Sequence, residues 1–258
     1  MLGSKNTPEI KLIALDMDGT LLNSDGEVSP ENRAAIKEAK KKGIHIILST
    51  GRSKLSCNEY AKSLQLNSYL VTVNGSEIWG PSGELVQRNN VDAELVQWMW
   101  ELSKTHSTKF WAIGCEGVWH NEMPDNLLEI NWLKFGFDIE DDHIREEIKI
   151  QLSEKGALEV TNSSLTNLEV NALGINKAMG IKAVCEKLGV SIDNVMACGD
   201  SLNDIAMIKE SGWGVAMGNA QEILKQTADA VTEHHNHDGV AKAIRKWALG
   251  KPVEVFSS

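Results

Sequence analysis

Two acidic segments far apart in the chain each follow a short apolar run. Residues 12–15 are apolar and precede the string Asp-Met-Asp-Gly-Thr at 16–20, and residues 195–198 are apolar and precede Gly-Asp-Ser-Leu-Asn-Asp at 199–204. Short, solidly apolar runs are typical of strands buried in a parallel sheet, and the carboxyl ends of such strands meet at one edge. Four carboxylates would therefore lie close together and repel one another unless a cation lies between them. Mg²⁺ prefers oxygen ligands, so the sequence predicts a metal site.

Short apolar strands alternate with helices in the first and last thirds of the chain. The first third predicts strands at 12–15, 44–48 and 69–73, and helices at about 30–42 and 53–64. The last third predicts a helix that ends at Gly189, strands at 195–198 and 214–217, and helices at 205–209 and about 240–249. This alternation implies parallel strands joined by right-handed helical crossovers. We expect the two thirds to form one doubly wound α/β domain.

The middle of the chain has a different pattern. Residues 80–83, Gly-Pro-Ser-Gly, are typical of a hairpin turn, and most of the tryptophans follow them. The segment 166–172 alternates as a strand does, with Leu168, Val170 and Ala172 on one face and Asn167, Glu169 and Asn171 on the other. This pattern predicts a packed apolar face and an unpacked polar face. We therefore predict an α+β domain at 85–175, inserted into a core formed by residues 1–84 and 176–258.

Length, composition and charge narrow the classes of function. At 258 residues and 42% hydrophobic content, the chain can bury two cores, which favours two domains. The net charge of −10 argues against nucleic-acid binding, which depends on clustered basic side chains. The basic run at 40–42 lies in the last turn of a predicted helix, where cations complement the helix dipole. Because there is no membrane-spanning apolar stretch and no signal-peptide core, we expect a soluble cytoplasmic protein.

The cysteines and histidines do not form a recognised metal or disulfide pattern. The four cysteines are scattered, without a Cys-x-x-Cys pair, at Cys57, Cys115, Cys185 and Cys198. We expect most of them to be small core residues. A denser group, His234, His235 and His237, could coordinate zinc or copper, but its polar neighbours favour a solvated connecting loop.

Four motifs occur in order along the chain. They are Asp16-x-Asp18-Gly19-Thr20, then Thr50-Gly51-Arg52, an isolated Lys177, and Gly199-Asp200-x-x-Asn203-Asp204. This ordered set resembles the signature motifs of the haloacid dehalogenase (HAD) superfamily, and the whole chain is similar to Cof-type phosphatases with a type IIB cap. Segments 73–75, 214–220 and 238–241 support the resemblance. The residues around Lys177 depart from it, because Cof-type relatives commonly have Val-Ser-Lys-Gly where this chain has Ile-Asn-Lys-Ala.

The resemblance assigns chemistry to the first and last motifs. It implies that Asp16 is the nucleophile that attacks a phosphoryl group, giving an aspartyl phosphate that water then hydrolyses. Asp18, which lies off the line of attack, suits the general acid and later the general base. The implied Mg²⁺ ligands are a side-chain oxygen of Asp16, the backbone carbonyl of Asp18, and Asp200. Asp204 is either a further ligand or a partner through water, and Asn203 either contacts the phosphoryl group or positions the ligands.

Residues that follow the other predicted strands complete the candidate site. The hydroxyl of Thr50 and the backbone of Gly51 are suited to cradle a phosphate at a helix start. Lys177 is the best candidate for the fixed positive charge that a transferring phosphoryl group needs. Arg52 and Asn74 either orient the site or contact the cap, with an ordinary surface role as the alternative.

Specificity is expected to come from the inserted domain, because the core recognises only phosphate and metal. Within that domain, Glu169 and Asn171 either face the substrate with polar groups suited to hydroxyls or lie on a solvated outer face. If they face the substrate, Glu169→Ala or Asn171→Ala should change kcat/KM among natural esters and leave hydrolysis of acetyl phosphate nearly unchanged.

Together these features predict a Mg²⁺-dependent phosphatase that hydrolyses a small phosphorylated metabolite, such as a sugar, nucleotide or cofactor phosphate. Two alternatives stay open: a phosphomutase of the same superfamily, and a receiver-like regulatory protein that binds metal without turnover. The large insertion and the presence of all four motifs disfavour the regulatory protein. We expect a monomer or a weak homodimer. The sequence does not identify the substrate.

Overall fold

The computed structural model describes residues 6–251 and contains two β-sheets. The strands are β1 (Leu12–Leu15), β2 (His45–Ser49), β3 (Leu70–Thr72), β4 (Glu77–Trp79), β5 (Leu85–Arg88), β6 (Lys109–Gly114), β7 (Gly117–His120), β8 (Trp132–Asp138), β9 (Leu158–Thr161), β10 (Asn167–Ala172), β11 (Val195–Gly199), β12 (Trp213–Ala216) and β13 (Ala230–Val231). The helices are α1 (Pro30–Lys41), α2 (Lys54–Ser63), α3 (Ala93–Thr105), α4 (Asp142–Glu154), α5 (Lys177–Leu188), α6 (Ile205–Glu210), α7 (Glu222–Thr227) and α8 (Gly239–Ala243). A wider helical turn, Ile244–Ala248, continues α8.

The larger sheet has eight strands in the order β13-β12-β11-β1-β2-β3-β4-β5. Strand β1 pairs in parallel with both β11 and β2, and parallel pairing continues outward to β13 and to β3. Strands β4 and β5 extend the sheet in antiparallel pairing. Because helices connect the parallel strands, the doubly wound α/β fold predicted from the sequence is confirmed.

Local side chains set the helix ends in this part of the fold. Ser29 Oγ accepts a hydrogen bond from the Asn32 amide at 3.1 Å and caps α1. Helix α5 begins in the same way at Asn176, whose side chain accepts a backbone amide of the first turn. It ends at Gly189, which adopts the left-handed conformation with φ of 66°. This cap fixes Lys177 as the first residue of α5.

The smaller sheet has five antiparallel strands in the order β7-β6-β8-β10-β9. Helices α3 and α4 cover one of its faces, where Met99, Ile148 and Phe135 belong to a single buried apolar cluster. The apolar residues of β10, Leu168 and Val170, lie in the same cluster. Full burial of such a side chain contributes about 1.5–3 kcal/mol to the stability of the fold. This apolar cluster is separate from the core of the larger sheet.

The opposite face of β10 differs from the prediction. The alternating pattern predicts an unpacked polar face, but Glu169 and Asn171 are only 5% and 1% exposed. Residues beyond β3 in the larger sheet cover them: Asn74 Nδ2 lies 2.6 Å from Glu169 Oε2, and Asn171 Nδ2 donates to Val73 O at 3.0 Å. The solvated-face alternative is therefore wrong. The pattern of one strand cannot reveal a distant segment that covers it.

The division of the chain into a core and an insertion at 84/85 and 175/176 stays a prediction. At the first boundary the strand pairing differs from it, because β5 pairs with β4 in the larger sheet although residues 85–88 were assigned to the insertion. The turn at 80–83 joins these two strands, as the predicted hairpin requires, and Gly83 N donates to Gly80 O at 2.9 Å.

Within residues 6–251, no helix is long and apolar enough to cross a membrane. Among the cysteines, Cys57, Cys185 and Cys198 are buried, whereas Cys115 is exposed. The expectation of small core residues is therefore correct for three of the four thiols. The cytoplasmic location and the monomeric or weakly dimeric state stay predictions.

Candidate active site

The turn that follows β1 brings the first motif against the last one. Asp16 ends the strand, and Gly19 adopts φ of 72° in the turn after it. A Cβ atom on Gly19 would lie 2.4 Å from Asp200 Oδ2, so only glycine allows this approach as well as this backbone conformation. Thr20 Oγ1 donates to Asp200 Oδ1 at 2.9 Å. The two acidic segments therefore meet at one place, as their positions after neighbouring strands predict.

A buried lysine lies between two of the carboxylates. Lys177 Nζ donates to Asp16 Oδ1 and to Asp204 Oδ1, each at 2.6 Å. The Lys177 side chain is fully buried, as is that of Asp204, and the Asp16 side chain is 8% exposed. The group formed by Asp16, Asp200, Asp204 and Lys177 is called the acidic cluster below.

The second oxygen of Asp204 is occupied by the backbone of the last motif. Asp204 Oδ2 accepts the amide hydrogens of Asp200 at 2.9 Å and Ser201 at 3.1 Å. Ser201 Oγ in turn donates to Asp200 Oδ2 at 2.9 Å. Asp204 therefore fixes both Lys177 and the loop that carries Asp200.

The charges of the acidic cluster do not balance. Burial raises the pKa of Asp16 well above its ordinary value, although the Lys177 ammonium opposes that rise. Burial and the neighbouring Asp204 carboxylate raise the pKa of Asp200 to about 6. Burial alone would lower the pKa of Lys177, but the carboxylates of Asp16 and Asp204 raise it, so the ammonium keeps its proton. Three carboxylates share one cation, and the excess negative charge is unfavourable in a buried site.

The donor set of the acidic cluster fits a hard divalent cation. Asp16, Asp200 and Asp204 each offer a carboxylate oxygen, and these oxygens lie within 4.8 Å of one another. A cluster of carboxylate oxygens with excess negative charge is the environment that Mg²⁺ prefers. The chemistry of the side chains therefore agrees with the metal predicted from the sequence.

Asp18 and Arg52 form a separate and more exposed pair. Arg52 Nε donates to Asp18 Oδ2 at 2.8 Å, and Arg52 Nη2 donates to Asp18 Oδ1 at 2.6 Å. The Asp18 side chain is 60% exposed and that of Arg52 30%. Arg52 thus contacts a residue of the first motif, and its role in the site stays a prediction.

The residues after β2 lie against the smaller sheet. Thr50 is buried, and its Oγ1 accepts the amide hydrogen of Arg52 at 3.1 Å. Gly51 O accepts a hydrogen bond from Lys134 Nζ at 3.0 Å. A Cβ atom on Gly51 would lie 3.0 Å from Asn74 Oδ1 and 3.3 Å from Lys134 Nζ. The lack of a side chain at position 51 therefore allows the two sheets to approach closely here.

Lys134, Glu169, Asn74 and Asn171 form a second buried polar group, called the sheet-bridging network below. Lys134 Nζ lies 3.3 Å from Glu169 Oε2, and both side chains are nearly fully buried. Asn74 Nδ2 donates to Glu169 Oε2 at 2.6 Å and to Asn171 Oδ1 at 3.3 Å. Burial alone would raise the pKa of Glu169, but Lys134, Asn74 and Ser163 hold it below its ordinary value. One ammonium balances one carboxylate, so this network is electrically neutral.

Asn203 lies where the last motif meets the loop after β9. The backbone amide of Asn203 donates to Asn162 O at 2.9 Å, and Ser201 Oγ lies 3.2 Å from Ser163 O. The side-chain Oδ1 of Asn203 is buried and has no hydrogen-bond partner among residues 6–251. A buried acceptor without a partner is unfavourable in the protein alone, so it suits a hydrogen-bond donor from a bound molecule.

The histidine-rich loop supports the turn after β1 from outside the cluster. His235 Nδ1 lies 2.7 Å from Leu22 O, and His235 N donates to Asn219 Oδ1 at 3.0 Å. Asn219 Nδ2 donates to Gly19 O at 2.8 Å. Among residues 6–251, the side chains of His234, His235 and His237 do not form a group close enough to hold one metal ion.

Two side chains of the site lie outside the predicted set. Thr20 belongs to the first motif, which was expected to lie close to the last motif and its Asp200. Lys134 interrupts the otherwise uncharged strand 132–137, and a lone lysine in such a strand indicates a buried partner. Neither residue could be paired with its partner from sequence spacing alone.

Comparisons with known proteins agree with this site. A family model described as haloacid dehalogenase-like hydrolase matches residues 13–142 and 124–244, which include all four motifs. A Bacillus subtilis (strain 168) protein, 5-amino-6-(5-phospho-D-ribitylamino)uracil phosphatase YcsE, is 57% identical over 241 residues, which cover 93% of this chain and 97% of that protein. YitU of the same organism, named for the same phosphatase activity, is 27% identical over 261 residues, covering 92% and 97%.

A solved structure extends the comparison to the fold. The HAD-superfamily phosphatase BT1666 from Bacteroides thetaiotaomicron is 27% identical, with a TM-score of 0.80, over 96% of this chain and 98% of that one. Both sheets are included in a match of this extent. The four motifs, the fold and the relatives all agree, and the chain belongs to the haloacid dehalogenase-like hydrolases as a phosphatase of that family.

Proposed function

We propose that this phosphatase uses Mg²⁺ and hydrolyses 5-amino-6-(5-phospho-D-ribitylamino)uracil through an aspartyl phosphate on Asp16. Support for the substrate comes from the two relatives named for it, one of them 57% identical over nearly its whole length. The substrate is the phosphate ester of a hydroxyl at the end of a ribityl chain, so it is one of the small phosphorylated metabolites predicted from the sequence. Hydrolysis gives 5-amino-6-(D-ribitylamino)uracil and inorganic phosphate.

In the first step, Asp16 attacks phosphorus. Lys177 holds Oδ1, which leaves Oδ2 to form the new bond while the bond between phosphorus and the ribityl oxygen breaks. The leaving oxygen takes a proton from Asp18. Both Asp18 oxygens accept hydrogen bonds from Arg52. One of these hydrogen bonds therefore has to break, and Asp18 has to take up a proton, before Asp18 can donate that proton to the leaving oxygen. Its exposure to solvent allows that exchange.

In the second step, water hydrolyses the aspartyl phosphate. Asp18, now a carboxylate, takes a proton from the water molecule as the water oxygen bonds to phosphorus. The bond between phosphorus and the Asp16 oxygen then breaks, which releases phosphate and restores the Asp16 carboxylate. Lys177 and Asp204 hold Asp16 in one orientation through both steps.

The charges of the chain fit the charges of the reaction. When bound, Mg²⁺ supplies positive charge that reduces the repulsion between carboxylate and phosphate. Side-chain oxygens of Asp16 and Asp200 would hold the ion together with the backbone carbonyl of Asp18. Asp204, whose oxygens accept hydrogen bonds from Lys177 and from the loop backbone, would hold the ion directly or through water. Thr50 and Gly51 are suited to bind and orient the phosphate side of the substrate, whereas the free Oδ1 of Asn203 is suited to accept a hydrogen bond from a donor such as a substrate hydroxyl.

One observation carries the proposal: a fully buried lysine lies 2.6 Å from a carboxylate that ends the central strand, beside two more carboxylates. Such an arrangement is costly for stability, and its excess negative charge suits a cation, which would in turn attract a phosphoryl group. A phosphate-release assay tests it directly.

Purified protein should release inorganic phosphate from 5-amino-6-(5-phospho-D-ribitylamino)uracil without a bisphosphate activator. It should prefer this ester to a panel of sugar phosphates and nucleotides. Excess EDTA should abolish the release, and added Mg²⁺ should restore it, whereas full activity after exhaustive chelation would contradict the metal. Movement of phosphate to another position of the same molecule, with no free phosphate, would favour the phosphomutase. Metal binding without turnover of any ester would favour the regulatory protein.

A further inference from the structure

A cavity of about 520 Å³ lies between the start of α2 and the turn that joins β6 to β7. Its size is within the range of roughly 300–1,000 Å³ that is typical of small-molecule sites. One wall belongs to the larger sheet and its helix, and the other wall to the smaller sheet. The wall residues used below are Ser53, Leu55, Arg88, Cys115, Val118 and Leu133.

Both walls of this cavity continue directly from the active site. Ser53 follows Arg52, whose guanidinium binds the proposed general acid Asp18. On the other wall, Leu133 precedes Lys134, whose ammonium binds Gly51 O. The cavity is therefore lined by sequence neighbours of residues that lie at the active site.

Two exposed apolar side chains line the cavity, one on each wall. Leu55 is 90% exposed and Val118 is 47% exposed, although exposure of large apolar side chains is unfavourable. Neither is covered by another part of the described chain. A flat ring inserted between the two walls would shield both side chains from water, which would account for their exposure in the protein alone.

The cavity also contains a partly free guanidinium. Arg88 donates Nε–H and Nη2–H to a single oxygen of Glu77, at 2.9 Å and 2.7 Å. Its Nη1 donates to no acceptor within residues 6–251. The Arg88 side chain is 30% exposed, so these remaining hydrogens can reach a ligand. A guanidinium of this kind suits a ring carbonyl oxygen, because it donates in a fixed plane and always carries its charge.

We propose that this cavity binds the heterocyclic end of the substrate, an aminopyrimidinedione ring, while the phosphate end lies at Asp16. Leu55 and Val118 contact the two faces of the ring, and Arg88 donates to a ring carbonyl. The polar ribityl chain spans the distance between the ring and the phosphate. This inference rests on the proposed function, because it assigns the two ends of the proposed substrate to two parts of one site.

Cys115 provides a probe of ring binding that needs no turnover. It lines the cavity and is exposed, whereas Cys57, Cys185 and Cys198 are buried. Iodoacetamide should therefore alkylate Cys115 first, and a Cys115→Ser variant should lose this rapid reaction. Saturating 6-(D-ribitylamino)uracil, which has the ring and no phosphate, should slow the alkylation of Cys115 at least about threefold. Ribitol 5-phosphate, which has the phosphate and no ring, should not slow it.

Variants of the exposed apolar residues test the same contact by kinetics. Leu55→Ser and Val118→Ser should each raise KM for the ribitylaminouracil phosphate by about threefold to tenfold, as expected for the loss of a partial apolar contact. Hydrolysis of acetyl phosphate should be unchanged, since that ester has no ring. Ile150→Ser is the matched control, because Ile150 is also about half exposed but lies on α4 outside the cavity.

Each outcome decides the proposal. Slower alkylation with the ring compound alone, together with raised KM values, supports it. An unchanged alkylation rate with the ring compound, or equal protection by ribitol 5-phosphate, overturns it. If the protein does not hydrolyse the ribitylaminouracil phosphate, the proposed substrate fails in the phosphate-release assay. The alkylation assay, which measures binding alone, would still decide whether the cavity holds the ring.

Discussion

Two of the charged groups that residues 6–251 bury, the acidic cluster and the sheet-bridging network, differ in their balance of charge. The acidic cluster has three carboxylates and one ammonium, whereas the sheet-bridging network has one of each. Buried charge is costly unless it is paired, so the charges of the network are balanced where it joins the two sheets. The unbalanced cluster is incomplete in the protein alone. Its excess charge supports the proposal that it is the site of chemistry.

The largest effect on kcat is expected from replacement of Asp16, the proposed nucleophile, in comparison with an ordinary exposed aspartate. Asp16→Asn should lower kcat by roughly 10⁴-fold or more, because the amide is a poor nucleophile and removes a charge from the acidic cluster. Asp25→Asn, in an exposed loop, is the matched control and should leave kcat unchanged. Steady-state phosphate release measures both. Substantial activity in the Asp16 variant would exclude this residue as the attacking group.

Removal of the lysine from each group should sharpen the comparison. Lys177→Met and Lys134→Met each leave a buried carboxylate without its cation, so each should lower the free energy of unfolding by about 3–5 kcal/mol in EDTA. The double variant Lys134→Met/Glu169→Gln removes both charges of the balanced pair and should return to within about 1 kcal/mol of the wild type. Urea unfolding measures these differences.

The corresponding pair in the acidic cluster should behave differently. Lys177→Met/Asp204→Asn should not recover, because two further carboxylates remain without a cation. Lys182→Met, at an exposed position of α5, is the control and should change the free energy of unfolding by less than about 0.5 kcal/mol. Equal recovery of both double variants would remove the distinction between the two groups.

Replacement of Asp200 should have a smaller effect on the free energy of unfolding, and it should stabilise the metal-free protein instead of destabilising it. The Asp200 pKa of about 6 means that the metal-free folded state binds the proton more tightly than the unfolded state. Metal-free protein should therefore gain stability as the pH falls from about 6 towards about 4, and Asp200→Asn should reduce this gain, leaving the part that comes from Asp16. At pH 7, Asp200→Asn should stabilise the metal-free protein by about 1 kcal/mol and abolish the rise in Tm caused by Mg²⁺. A destabilised variant that still responds to Mg²⁺ would contradict this account.

The smallest change in the free energy of unfolding is expected at the exposed ion pair between Asp18 and Arg52. Arg52→Lys replaces a two-point contact with a single charge, so kcat/KM should fall about tenfold while the free energy of unfolding changes by less than about 1 kcal/mol. Lys62→Met, which removes another exposed ion pair, should leave kcat/KM unchanged. A large loss of stability in Arg52→Lys would mean that the pair is structural.

The sequence predicted the parts of the molecule that depend on local pattern. The alternation of apolar strands and helices predicted the doubly wound sheet, and the ends of β1 and β11 predicted where carboxylates meet. Ser29 and Gly189 predicted helix ends, because capping depends on neighbouring residues alone. These features need no knowledge of distant contacts.

The parts that could not be predicted depend on contacts between the sheets. The polar face of β10 was expected to be unpacked, and it is buried because Asn74 covers it from a position 95 residues away. Asn74 has φ of 57°, a conformation that its sequence neighbours do not reveal. Lys134 was overlooked because its partners, Glu169 and Gly51, come from other elements.

The most direct test of the account is to trap the covalent intermediate. Borohydride reduces an acyl phosphate to an alcohol, so a protein quenched with borohydride during turnover keeps a permanent mark on the attacking carboxylate. Peptide mass spectrometry should find that mark on Asp16 alone, and only when both the ribitylaminouracil phosphate and Mg²⁺ are present. Active turnover with no reduced residue, or with the mark on any other carboxylate, would contradict the claim that Asp16 carries the phosphoryl group.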